Sequence, residues 1–424
     1  MSIINEIKRI KESTQKAYES AKNKGATIPE IKNIDNLSVC IDSIQGGGSE
    51  PTPPEPEDID DTVVCKTINL SNCTSISDNL FKSSQTLEYI GSLESLTSLG
   101  LYAFKDCYQL KKGVNIPLIT EYSNSSYQTY PPFAWCPSIQ SITLGSVGHA
   151  VKSTNLTNLV TGDISLKEVN IYTEQGNSLV SDLRTFDRCK IFNKDLTFNY
   201  YDAESGELIN SINFENSYGF TDVEYVDLSG HIINTFVRPS SELKFDMDFK
   251  ATNTGGRWQA LFGGRIDHRN DTFHNAWAFH IVANGNINNK CTGFNNQFYG
   301  NISTINSTYL DVKTKLVYDK EQAVLTNLET NTTSDTINVT NSKDVFESDI
   351  HTQIKFGGIN NEWQNNNEKN DGMGNVVDDR SNLKIYNCKI YKKDILIRDF
   401  IPKQDKDGNC CLYDKVNERY HYIV

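Results

Sequence analysis

The chain has no cluster of Lys and Arg. Its 41 basic residues are scattered and outnumbered by 54 acidic ones, for a formal charge of −13 over 424 positions. That excludes nucleic acid as a partner, because phosphate contacts need concentrated positive charge. No hydrophobic run approaches the ~20 apolar residues that span a bilayer, so no membrane insertion is expected. The opening "MSIINEIKRIKEST" is too charged for a signal-peptide core. The ten cysteines include no CxxC pair. Reduced thiols packed as small apolar side chains are therefore the expected state, consistent with synthesis in a reducing cytosol. Cys410 and Cys411 are adjacent, an awkward geometry for a mutual disulfide.

What is present points to several packed β-rich units. Hydrophobic residues make up 37% of the chain, with 20 Tyr and 19 Phe, enough to build cores, and the length fits two to four units. Residues 1–45 read as a helical anchor. Ile3, Ile7, Ile10, Thr14, Ala17 and Ala21 recur at spacings of four and three, a coiled-coil seam whose isoleucines favour a trimer. An amphipathic hairpin packed on its own protein explains the same pattern. A Gly-, Pro- and acid-rich linker follows over 46–61, containing "GGGSEPTPPEPED".

From 62 to 190 an imperfect repeat appears. "LEYIGSL", "LKKGVNIP", "IQSITLG" and "LKEVNIY" begin at Leu87, Leu110, Ile139 and Leu166, which are 23, 29 and 27 apart. "AFKDC" and "FAWC" carry an aromatic residue and a cysteine that read as core plugs, through Phe104, Cys107, Trp135 and Cys136. "AFKDCYQLKKGVNIP" resembles the leucine-rich repeats of the BspA-like type, which implies a short solenoid. A hairpin over 191–217, turning at Glu204-Ser205-Gly206, caps the solenoid or bridges onward.

Residues 218–424 alternate in strand-length runs such as "LKFDMDFKA", "AWAFHIVA" and "LKIYNCKIY". They indicate an antiparallel β-sandwich or jelly roll. In the run from Leu383 to Tyr391 strict alternation puts apolar side chains on both faces, so this strand is expected between two layers. "RWQALFGGR" and "IYNCKIYKKDILIRDFIPKQDKDGNCCLYDKVNERYHY" resemble the concanavalin A-like, laminin-G-type jelly rolls of phage tail proteins. In that resemblance the closing motif forms the last edge of the sandwich. The first 45 residues resemble, more loosely, the helical start of tail-fibre-type proteins from phages of Gram-positive bacteria. There the segment implies attachment to a virion or oligomerisation.

A convergent acid pair is not evident. Jelly-roll glycosidases of the laminarinase type carry roughly ExDxxE, and the nearest stretch here, Glu242 with Asp246 and Asp248, has the wrong spacing. His268, His274 and His280 lack regular metal-ligand spacing. The loop Asn360 to Asp379 holds Trp363 among amides and acids. Sugars stack on aromatic faces while amides and carboxylates meet their hydroxyls. Trp363, Asn365, Asn367 and Asp371 are thus candidate ligand contacts, with Phe298 and Tyr299 on a second rim. Asp371, Asp378 and Asp379 are the oxygen ligands available to a Ca²⁺ ion, although no cofactor is expected. The alternative is a solvated loop whose Trp folds back on the sandwich.

The resemblances imply a virion appendage of tail-fibre or baseplate type, made in the bacterial host cytoplasm. It would join other virion proteins through its N-terminal helices and adhere to a host-surface glycan or protein without being an enzyme. A decorating head fibre and a glycan-degrading enzyme are the alternatives.

Overall fold

The computed structural model describes residues 14–23, 66–119, 131–151, 160–176, 182–238, 240, 242–252, 259–265, 276–283, 289–295, 304–305, 309–319, 322–338, 353–360, 377–378 and 381–424. The protein is mainly β, with a helix near its N-terminus over 14–23. That helix buries Thr14, Tyr18 and Ala21, an i, i+4, i+7 stripe, and turns Lys16, Glu19 and Lys22 to solvent. Of the expected seam, Ala17 lies half-buried at the margin of the stripe, and Ile3, Ile7 and Ile10 lie outside the described residues.

The middle of the chain winds into stacked coils. Short parallel pairs, Thr67–Ile68 with Tyr89–Ile90 and Ser75–Ile76 with Ser98–Leu99, precede a five-stranded sheet. In that sheet Val114–Ile116, Ser141–Leu144, Glu168–Thr173 and Thr197–Asp202 run parallel, and Leu208–Asn213 closes it antiparallel. Val114, Ile142, Val169 and Phe198 are in register and all point inward, so each coil contributes the same apolar position.

The opposite wall of the coils is an aromatic stack. Phe81, Phe104 and Phe133 lie 5.1 and 5.4 Å apart, nearly parallel. The Cys107 thiol donates to the Phe81 carbonyl, and that of Cys136 to the Phe104 carbonyl, each at 3.2 Å. The cysteines therefore tie coil to coil, which a plain apolar side chain cannot do. Beside the stack Ser83, Asp106, Trp135 and Gly162 all have φ between 61° and 74°. For Trp135 this left-handed backbone is costly, and it persists because the surroundings fix it. Its N–H donates to the Thr161 carbonyl at 2.6 Å, and its ring stacks on Phe236 at 5.4 Å.

The C-terminal half is an antiparallel sandwich. One sheet runs Gln322–Asn327, Thr314–Asp319, Leu243–Thr252, Asn382–Lys392, Ile395–Gln404, Cys410–Asp414 and Arg419–Tyr422. The other contains Ile233–Asn234, Lys355–Phe356, Gln259–Arg265, Ala276–Ala283 and Asn289–Asn295. Leu243–Thr252 alternates buried and half-buried residues along its whole length, as one covered face requires. Phe245 of the first sheet stacks on Phe262 of the second at 5.0 Å.

The strand Asn382–Lys392 corrects its sequence reading. It has one buried face, because a bulge at Tyr386, between the pairs Asp248–Asn387 and Phe249–Ile385, shifts the alternation by one residue. Leu383, Ile385, Cys388 and Ile390 consequently all point into the core. The closing strand also departs from expectation, since it is not an edge. Arg419–Tyr422 pairs on its far side with Ile191–Asn193 of the coil stack, which makes one sheet continuous through both units. Its side chains serve two cores. Tyr420 and Tyr422 join the coil core with Phe192 and Phe214, while His421 meets Phe400 of the sandwich at 5.0 Å.

Candidate functional site

Across the five-stranded sheet, the side chains opposite the coil core form straight rows. Strand pairing aligns Asn115, Thr143, Asn170, Asn199 and Ser211 in one row, one residue per strand. All five are half-buried or exposed. Ser211 Oγ donates to Asn199 Oδ1 at 2.7 Å, Asn199 Nδ2 to Asn170 Oδ1 at 3.0 Å, and Asn170 Nδ2 to Thr143 Oγ1 at 3.3 Å. The donors all point the same way, so each bond polarises the next. The Thr143 hydroxyl accepts at the end of this relay and is thereby a better donor itself.

A second row, Ser141, Glu168, Thr197 and Asn213, lies beside the first. Exposed Glu168 accepts from Asn199 Nδ2 at 3.3 Å, and Asn213 Nδ2 donates to Thr197 Oγ1 at 3.3 Å. On the other flank half-buried Tyr172 and Tyr201, neighbours across adjacent strands, stack at 5.1 Å. Partial burial, then the Glu168 carboxylate and Tyr172, raises the Tyr201 phenol, which therefore stays protonated and able to donate.

The strands stop where the backbone dictates. Gly145, next to Leu144, has φ +77°, and a Cβ there would lie 2.5 Å from the His149 carbonyl oxygen. Only glycine admits the tight return over 146–149 beside Tyr172. The resulting face is flat and polar, with neutral amides and hydroxyls flanked by an aromatic pair and one exposed carboxylate. Such a face suits a polyhydroxylated ligand, whose hydroxyls match the amides while its C–H faces match the tyrosine rings.

The side chains between the two units are of another kind. Arg184 binds Asp182 at 2.8 Å, Asp407 at 3.2 Å and fully buried Asp405 at 2.5 Å, and Tyr422 Oη donates to Asp405 at 3.0 Å. These contacts lock the coil stack to the 405–409 turn. Asp163 and Asp187 line a cavity of about 10 Å³, room for one water molecule. Asp187 accepts backbone N–H bonds from Gly162, Cys189 and Ile191, yet burial still pushes its carboxyl up to about 6. Asp163 accepts from the Cys136 N–H at 2.8 Å, and burial raises it well above the carboxylate range. His421 is buried and donates from Nδ1 to the Asn234 carbonyl at 2.7 Å; burial lowers it to about 4. These groups hold the seam together and present nothing to a ligand.

Among the described residues, none of those expected from sequence belongs to this face. Trp363, Asn365, Asn367, Asp371, Asp379, Phe298 and Tyr299 lie outside the described residues, as do His268 and His274. Asp378 belongs to the short strand Val377–Asp378, paired with Ile359–Asn360. Asp246 and Asp248 share the outer face of the sandwich, where Asp246 pairs with Lys315 at 3.0 Å and Asp248 accepts from Asn387 at 2.9 Å. Glu242 pairs with Lys393 at 3.4 Å. The ladder was not singled out, although its signal is in the sequence. "VNI", "SITL", "EVNIYT", "TFNYYD" and "LINSIN" place Asn, Thr, Ser or Tyr at outward positions in each coil.

No family of known proteins matches the chain, and no curated protein does. Two solved structures show a distant likeness. One is the full-length tailspike protein 2 of an Escherichia coli O157:H7 bacteriophage, 9% identical, with a TM-score of 0.28, covering 77% of this chain and 43% of that one. The other is the enzymatically active domain of bacteriophage CBA120 tailspike protein 2, 8% identical, with a TM-score of 0.27, covering 75% and 49%. The chain thus spans less than half the length of either. The expectation that the protein is not an enzyme is corrected here, since one of the two structures it resembles is an enzymatically active domain.

Proposed function

We propose that this chain is a phage tail appendage protein whose coil stack meets a glycan of the host surface. The observation that carries this reading is the face formed by Asn115, Thr143, Asn170, Asn199 and Ser211 with the Tyr172–Tyr201 pair. It is the chemistry of a sugar-binding surface, built on rigid strands rather than on loops. Sequence resemblance supports the rest. The coils are of the BspA-like leucine-rich type, the sandwich is a concanavalin A-like jelly roll, and the N-terminal helices anchor the protein in the virion, as a trimer. Many copies per particle turn weak single sites into firm attachment. In the sandwich the loop bearing Trp363 supplies a second contact.

The test is binding of the full-length protein to candidate host cells and to their isolated wall polysaccharide, with Tyr201→Ala beside it. Losing one stacking ring is expected to weaken binding about tenfold, at an unchanged melting temperature. Equal binding by the variant would remove the tyrosine face from the reading, and no binding by the wild type would remove the reading itself. Reducing ends measured in the same incubations report whether contact leads to cleavage.

A further inference from the structure

The row has a fixed repeat. Neighbouring strands lie about 4.8 Å apart, so five rungs span roughly 19 Å in a straight line perpendicular to the strands. An extended β-linked polysaccharide advances by close to one strand spacing per sugar and presents hydroxyls or acetamido groups at each step. A compact branched epitope or a single terminal sugar has no such repeat. From this we infer that the ligand is a linear, neutral, β-linked glycan lying across the strands, one sugar per rung from Asn115 to Ser211. The inference rests on the glycan-binding reading above and deepens it.

Three further observations fit this ligand. The five rungs are uncharged, Glu168 stands beside them, and the chain is acidic, so a polyanion would meet repulsion. Asn170, the middle rung, spends only part of its hydrogen-bonding capacity on its neighbours. Asn170 uses one amide hydrogen toward Thr143 and one lone pair toward Asn199, which leaves a donor and an acceptor for a ligand. The ladder also opens on solvent at one end. The strand Leu208–Asn213 is the last of the sheet, and Leu208 to Ser211 are all exposed there, so a long chain can run on past the fifth rung.

The experiment is a length series. Calorimetric titration of the full-length protein with β-1,4-linked N-acetylglucosamine oligomers, from dimer to hexamer, is expected to show affinity rising with each sugar to the pentamer and then levelling. Asn170→Ala is expected to weaken the pentamer about five- to tenfold, the worth of one hydrogen bond. Ser211→Ala, at the exposed edge where folding is not at stake, is expected to lower the pentamer's affinity and leave the dimer's unchanged. Equal affinity for dimer and hexamer would overturn the one-sugar-per-strand geometry. Failure of every oligomer, in a preparation that still binds host cells, would overturn the ligand class and leave the broader reading standing. Failure to bind host cells as well would end both.

Discussion

Asp163, Asp187 and His421 are all buried, yet their protons pull in opposite directions. Asp187 has a folded value of about 6, above the ordinary carboxylate range, so between pH 4 and 6 the folded protein holds a proton that the unfolded chain has released. Stability therefore falls as pH rises through that window. Asp163, raised by burial and by Asp187, adds to the fall. His421, lowered to about 4, does the reverse, because the unfolded chain takes up a proton that the folded one refuses. Replacing His421 by Gln is expected to steepen the fall between pH 4 and 6 by up to ~1.4 kcal/mol per pH unit, the limit for one proton. Asp187→Asn is expected to make it shallower by a similar amount. Denaturant unfolding at several pH values reads both slopes. Parallel curves for wild type and variants would show that neither group titrates as its burial requires.

Single elements were legible in the sequence to unequal degrees. The coil core could be read, because Phe104, Cys107 and Cys136 repeat in fixed frames and burial follows apolar character. The tie that each cysteine makes to the preceding coil's carbonyl could not, since it depends on how coils stack. Likewise the strand Asn382–Lys392 was legible as a strand but not as one-faced. Its bulge at Tyr386 is set by the partner Leu243–Thr252, which no local pattern announces. The ladder's polar residues are legible strand by strand, but their joining is not: Asn170 and Asn199 are 29 residues apart and become neighbours only in the parallel pairing. Phe104 is flanked by Phe81 and by Phe133, so Phe104→Ala is expected to cost about 3–5 kcal/mol. Among the described residues Phe81 stacks on Phe104 alone, and Phe81→Ala is expected to cost less. Thermal or chemical unfolding ranks the two, and the opposite order would deny the stack its role.

At the scale of the molecule, the coil stack and the sandwich behave as one body. They share a sheet through Arg419–Tyr422 and Ile191–Asn193, a small apolar cluster around Trp135 and Phe236, and the Arg184–Asp405 pair. Arg184→Ala takes the guanidinium away from the fully buried Asp405 carboxylate, which keeps Tyr422 and the 407–409 backbone as hydrogen-bond donors. Removing one partner of such a pair typically costs about 3–5 kcal/mol. The loss is expected to shift the unfolding of both units together; unfolding of the sandwich alone would show that the seam does not couple them. Sequence pattern set the helix, the coils and the sandwich apart, but it could not show that the sandwich completes the coils.

That completion sets an order of events in the making of the protein. Phe192 pairs with Tyr420, 228 residues further on, and the coil core stays unfilled until Cys411, Tyr420 and Tyr422 arrive. A ribosome therefore releases the coil stack long before it can close, and contacts this distant along the chain form slowly. The nascent coils must wait with an apolar end open, so chaperone demand during synthesis should fall on the half of the protein that is made first.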